Sequence, residues 1–164
     1  MEHFTWTVAQ ILEAERRLRT HTEDPEAMMR AAADAVAEAA SVMLAPREPV
    51  VILAGPGGNG GDGLYAGATL AAGGHPVDAL LTAGRAHQPA LDAFVAAGGR
   101  VIDALDRPWE YSLLIDAITG LSARPGLDES LREIVEDVAE LPTLAVDLPS
   151  GVEADTGLAG ELHI

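Results

Sequence analysis

Two aspartates, Asp116 and Asp147, each close an otherwise apolar run, and the nine residues Gly55-Pro56-Gly57-Gly58-Asn59-Gly60-Gly61-Asp62-Gly63 include six glycines. A pair of carboxylates suits a general acid/base, a cation site, or one of each. Asn59, Asp116 and Ser150 offer only oxygens, the ligands of a hard cation such as K⁺, Na⁺ or Mg²⁺; zinc or copper would want His or Cys. Glycine lets the backbone approach an anion closely, and the helix start that follows aims unpaired N–H groups at it. The run contains Gly-x-Gly-x-x-Gly at Gly55, Gly57 and Gly60. It is not a Walker loop, because no Lys-Ser/Thr follows and the chain has no lysine. Asp62 would repel a phosphate here; it can cap the helix, orient loop amides, or accept hydrogen bonds from ribose hydroxyls.

These residues need a frame that brings them together. Residues 7–19 carry Val8, Ile11, Leu12, Glu15 and Leu18 at helical spacing. Asp24-Pro25 opens a second helix, whose stripe includes Met28, Met29, Ala32, Val36, Ala40 and Met43; we read its methionines as packing rather than ligands. The two helices form a cap or arm on the remainder of the chain. From Val50 strands and helices alternate, with strands at 50–54, 76–81, 100–102, 111–115 and 143–146. Helices are expected up to about residue 72 and over 89–97 and 128–141. This alternation predicts a parallel α/β sheet. If the strand order is 3-2-1-4-5, the glycine run and the loops holding Asp116 and Asp147 meet where the winding reverses, the usual ligand crevice of such sheets.

Composition narrows the partners. The 164 residues suit one domain, and 48% are hydrophobic. No apolar stretch approaches a membrane span, and no signal peptide is visible. With zero cysteines, a cytoplasmic location is the expectation. The net charge of −16 argues against nucleic acid, whose binding needs Lys and Arg. The five histidines, His3, His21, His75, His87 and His163, make no metal spacing and read as surface residues. No Ser–His–Asp arrangement can be built around Ser150.

Taken together, the glycine run, Asp116-Ala117-Ile118-Thr119-Gly120, and Val146-Asp147-Leu148-Pro149-Ser150-Gly151-Val152 with Asp155-Thr156-Gly157 resemble the YjeF N-terminal family. Met28-Met29-Arg30-Ala31-Ala32 resembles that family's helical lead-in. The resemblance implies a Rossmann-like three-layer αβα fold with a mainly parallel sheet. It also implies epimerisation of the R and S forms of NADHX and NADPHX, hydrates of the nicotinamide ring, for cofactor repair. By position, Gly58, Asn59, Gly60, Gly61 and Asp62 would hold the substrate, as would Gly120, Leu121, Ser122, Ala123, Arg124, Pro125 and Gly126. Asn59, Asp116 and Ser150 would bind one K⁺ per subunit, and Asp147 would contact the substrate as the acid/base. A homodimer is implied, together with a functional partner, the NAD(P)HX dehydratase that some relatives carry fused.

Two features depart from the family pattern. Gly58 stands where the family has a second asparagine. The family domain also continues with further strands, so residues 1–164 are expected to be a C-terminally shortened single domain without the dehydratase. Two other readings use the same residues. One is a non-catalytic nucleotide-binding or scaffold module of the same fold. The other is an NAD(P)-dependent oxidoreductase, which wants an acid at the end of the second strand, where the sequence has Leu81-Thr82-Ala83-Gly84 with Arg85 beyond.

Overall fold

The computed structural model describes residues 5–21 and 23–164, so His3 lies outside the described residues. Its centre is β1 (Val50–Ala54), five residues buried on both faces, as a middle strand of a parallel sheet must be. β2 (Val77–Leu81), β3 (Arg100–Ile102), β4 (Leu113–Ala117) and β5 (Thr143–Ala145) complete a sheet of order β3-β2-β1-β4-β5. Every pairing within it is parallel. This strand order is the one under which the three loops are expected to meet, and the winding reverses between β1 and β4. β4 begins and ends two residues later than expected, which places Asp116 inside the strand rather than after it.

Strand alternation divides the core. Val50, Ile52 and Ala54 face one layer, built from α2 (Ala27–Met43), α3 (Gly58–Ala72) and α4 (Gln88–Ala96). Val51 and Leu53 face the other, where α5 (Arg132–Val138) and Leu162 pack. α5 is shorter than the expected helix, because a 3₁₀ turn at Glu129–Leu131, capped by Asp128, leads into it. At the N-terminal edge, α2 starts at Ala27, and Asp24 instead closes the preceding turn by accepting from the Glu26 N–H at 2.9 Å. α1 (Val8–Arg19) starts with a Thr7/Gln10 capping box and has no fully buried residue.

The glycine run is mostly helix, not loop. α3 begins at Gly58, so Gly58, Asn59, Gly60, Gly61, Asp62 and Gly63 form its opening turns. The reason is closeness to the sheet. A Cβ on Gly60 would strike the Gly55 carbonyl, and one on Gly63 would meet the Ala117 side chain. One on Gly67 would collide with Ile52 and crowd Phe94. Glycine is therefore tolerated in this helix despite its poor propensity, because α3 gains contact with β1 and β4 in return. Among the described residues no helix is long and apolar enough to cross a membrane.

Phe94 locks the outer helix to this arrangement, fully buried against Gly67 and Gly99. Phe94→Ala is expected to cost roughly 3–5 kcal/mol through lost burial and the cavity left behind. Urea unfolding should show a lower midpoint with an unchanged slope; a midpoint equal to wild type would contradict the packing described.

Candidate functional site at the carboxyl edge of the sheet

Asp116, at the C-terminal end of β4, has no solvent exposure. Its Oδ1 accepts from Ser150 Oγ at 2.6 Å and from the Ile118 N–H at 3.3 Å. Its Oδ2 accepts from the Ser150 N–H at 2.7 Å. Burial pushes its pKa up, and these hydrogen bonds oppose that shift. Ser150 Oγ in turn accepts from the Thr119 N–H at 3.0 Å, and the Thr119 carbonyl accepts from Asn59 Nδ2 at 2.8 Å. One relay of hydrogen bonds thus ties the loops after β4 and β5 to the first turn of α3. At its far end the Ile164 N–H donates to the Ser150 carbonyl at 2.9 Å.

Above this relay lies a cavity of about 840 Å³, within the range of small-molecule sites. Gly58, Asn59 and Asp62 line it, with Gly120, Leu121, Ser122, Ala123 and Asp147. Asp147 sits two residues beyond β5, and its Oδ2 lies against Gly120, with the Asn59 side chain beside both. A Cβ at position 120 would push the Asp147 carboxyl from this place. The three expected segments therefore converge on one crevice.

Several expected contacts fall outside it. Gly60 packs on the Gly55 backbone, and Gly61 packs under the Met29 and His87 side chains. Arg124, Pro125 and Gly126 are not among the residues that line the cavity. The Gly126 N–H donates to the Gly151 carbonyl at 2.8 Å, and its Cα is packed against Gly160. Asp62 is no helix cap, since Gly57 holds that position and leaves the first amides of α3 without a side-chain partner. The acid that an oxidoreductase needs at the end of β2 is also missing. Asp78 sits within that strand and is held by Arg100 and by the Tyr111 hydroxyl. Arg85 is exposed and lines no part of the cavity.

Other residues join the site without a motif to announce them. Met28 and Met29 from α2 form one wall, and Leu12, Glu15 and Arg19 from α1 form another. His87 is not a surface residue; three quarters buried, it lines the cavity, with Nε2 3.4 Å from Glu26 Oε1 and Nδ1 unpartnered. Thr119 Oγ1 and Asn59 Oδ1 are likewise buried without a hydrogen-bond partner. The amphipathic pattern of the first helix was the one available signal, since a helix ahead of the first strand must cover something. His87 gave none.

Burial pushes the Asp62 pKa up to about 7, with further contributions from the nearby charges of Asp147 and Glu15. The folded chain therefore holds a proton that the unfolded chain has already released above pH ~4. Stability from this group is complete below that value and is lost as pH rises through about 7. Asp62→Asn removes the dependence. Its melting temperature relative to wild type should increase between about pH 5 and about pH 8; a difference constant across that range would contradict the burial of this carboxyl.

The chain matches the family described as YjeF-related protein N-terminus over residues 25–164. It is 44% identical over 162 residues to the bifunctional NAD(P)H-hydrate repair enzyme Nnr of Corynebacterium glutamicum, covering 93% of this chain and 28% of that protein. It is 43% identical over 143 residues to the NAD(P)H-hydrate epimerase of Microbacterium testaceum, covering 80% of this chain and 56% of that one. The chain thus spans less than two thirds of either relative. The crystal structure of yeast ynu0, YNL200c, shares the fold, with a TM-score of 0.86 at 22% identity over 99% of this chain and 77% of that one. A match from Pro25 to Ile164 takes in every strand of the sheet and both aspartate loops, and the chain belongs to the YjeF N-terminal family.

Proposed function

We propose that this chain interconverts the R and S forms of NADHX and NADPHX, an isomerase step in nicotinamide cofactor repair. The observation that carries the reading is the Asp147 carboxylate set against Gly120 and Asn59 in a cavity of dinucleotide scale. Relatives at 43% and 37% identity are named NAD(P)H-hydrate epimerases, which supports the same reaction.

Inverting one hydroxyl-bearing carbon needs an acid for the departing hydroxyl and a base for the returning water. A single carboxyl cycling between its two states performs both, with no net change. Asp147 is assigned that role, because it reaches the cavity while remaining exposed enough to exchange protons. Asp62, whose pKa burial pushes up to about 7, is a second proton holder in the same cavity. The Met28 and Met29 wall excludes water from one side of the substrate.

The donor set fits one K⁺ per subunit. Asn59 Oδ1 and Thr119 Oγ1 are buried oxygens lacking partners, and Asp116 supplies negative charge alongside Ser150. Among the described residues no three His, Cys, Asp or Glu side chains cluster as a transition metal would want. Asn59, Asp116 and Ser150 would hold the ion, which would supply positive charge beside the acidic side chains of the cavity. The reading includes a cytoplasmic homodimer working with an NAD(P)HX dehydratase, an activity consistent with the bifunctional relatives.

Asp147→Asn should lower the rate of epimer interconversion by about 10²–10⁴ while the melting temperature stays near wild type. Chromatographic separation of R and S NADHX measures it; unchanged interconversion would sink the assignment. K⁺ should raise the melting temperature over an organic cation at matched ionic strength. Superimposable melting curves would remove the ion from the account.

A further inference from the structure

Charge on the cavity lining is one-sided. The lining carries the buried Asn59, the partly buried Asp62 and the exposed carboxylate of Asp147. At the mouth, on the last turn of α1, stands Arg19, with its side chain 65% exposed. Among the described residues that line the cavity, it alone carries a permanent positive charge. Arg19 Nη2 donates to Glu15 Oε2 at 3.1 Å, a partner that also lines the cavity. An exposed pair of this kind is weak, so an incoming anion can displace the carboxylate at little cost.

A dinucleotide presents this arrangement with two unlike ends. Its hydrated ring is neutral where proton transfer occurs, whereas its diphosphate is anionic and must enter a chain of net charge −16. Three acidic side chains, Glu15, Asp62 and Asp147, line the same cavity. Placing the diphosphate beside Asp147 would set it against a carboxylate. Placing it at the mouth sets it against a guanidinium, whose planar fork suits phosphate oxygens.

α1 is built to bring that group in. It has no fully buried residue, and its first turn is tied to the rest of the fold by the Val8 N–H donating to Asp155 Oδ1 at 2.8 Å. Leu12, one face-neighbour of Glu15, lines the cavity yet is 41% exposed, leaving apolar surface for a ligand to cover. We infer that Arg19 is a phosphate-recognising residue of this site. The substrate lies with its hydrated ring at Asp147 and its diphosphate at the mouth, where Arg19 exchanges Glu15 for a phosphate oxygen.

This inference rests on the proposed dinucleotide substrate, and binding separates the two. Wild type, Arg19→Ala and Arg19→Lys would be titrated calorimetrically with NAD⁺, an unreactive dinucleotide probe, at low and high NaCl. Arg19→Ala is expected to bind NAD⁺ roughly tenfold more weakly at low salt, the scale of one charge-assisted hydrogen bond. Its affinity should also depend less on salt, and Arg19→Lys should recover most of both. For NADHX, Arg19→Ala should raise KM and leave kcat unchanged. Unaltered NAD⁺ affinity, or a loss with an unaltered salt dependence, would overturn the role of Arg19. A wild-type chain that binds NAD⁺ but leaves the NADHX epimers unmixed would overturn the reaction instead, and the NAD⁺ titrations alone would then decide the inference.

Discussion

The Asp116 carboxyl group, buried at the end of β4, is the constraint on which the site depends. A polar group this deep is costly unless its acceptor positions are filled. The groups that fill them come from two places, Ile118 just beyond its own strand and Ser150 beyond β5. Satisfying one buried side chain therefore fixes the relative position of two loops that share no ladder hydrogen bonds. Through Ser150 Oγ, Thr119 and Asn59 the same requirement reaches α3. The relay stops short of completion, because Asn59 Oδ1 and Thr119 Oγ1 are left facing no donor. Two unpaired oxygens at the end of an otherwise filled network are what a ligand site requires and what a purely structural network avoids.

Glycine performs the complementary task. Gly60 lets the start of α3 settle onto the Gly55 backbone, and Gly55 lets that turn lie against Ile118 in the loop after β4. Gly63 and Gly67 let the body of α3 lie on β1 and β4. The helix start is thereby held at the carboxyl edge of the sheet, with Gly57 leaving its first amides free. Gly120 serves the same purpose opposite, where any side chain would displace Asp147. The site is thus two close approaches with a cavity between them, roofed by an N-terminal helix that is itself only lightly attached.

Much of this was legible in the residues. Strand and helix alternation predicts a parallel α/β sheet, and an all-apolar strand such as Val50–Ala54 fits its middle, buried on both faces. The order 3-2-1-4-5 was a condition, which the structure meets. The meeting of the glycine run with Asp116 and Asp147 follows from that order alone. Finer features were not legible, for physical reasons. A carboxylate inside a strand reads as the strand's end unless its partner is known, and Ser150 lies 34 residues away. Glycines in succession read as a loop, since only a sheet pressed close against them makes a helix of glycines worthwhile. His87, Arg19 and Arg124 differ in which way their segments dock, a tertiary outcome with no spacing to betray it.

Amide hydrogen exchange at Ser150 and Thr119 tests the central claim most directly. Both N–H groups lie in loops outside the sheet, yet each donates within the relay that Asp116 organises. The account predicts exchange as slow as that of the β1 amides, because opening either bond exposes the buried carboxyl network. Exchange at the rate of an ordinary surface loop would show that Asp116 holds nothing together and that the convergence of the three segments has another cause.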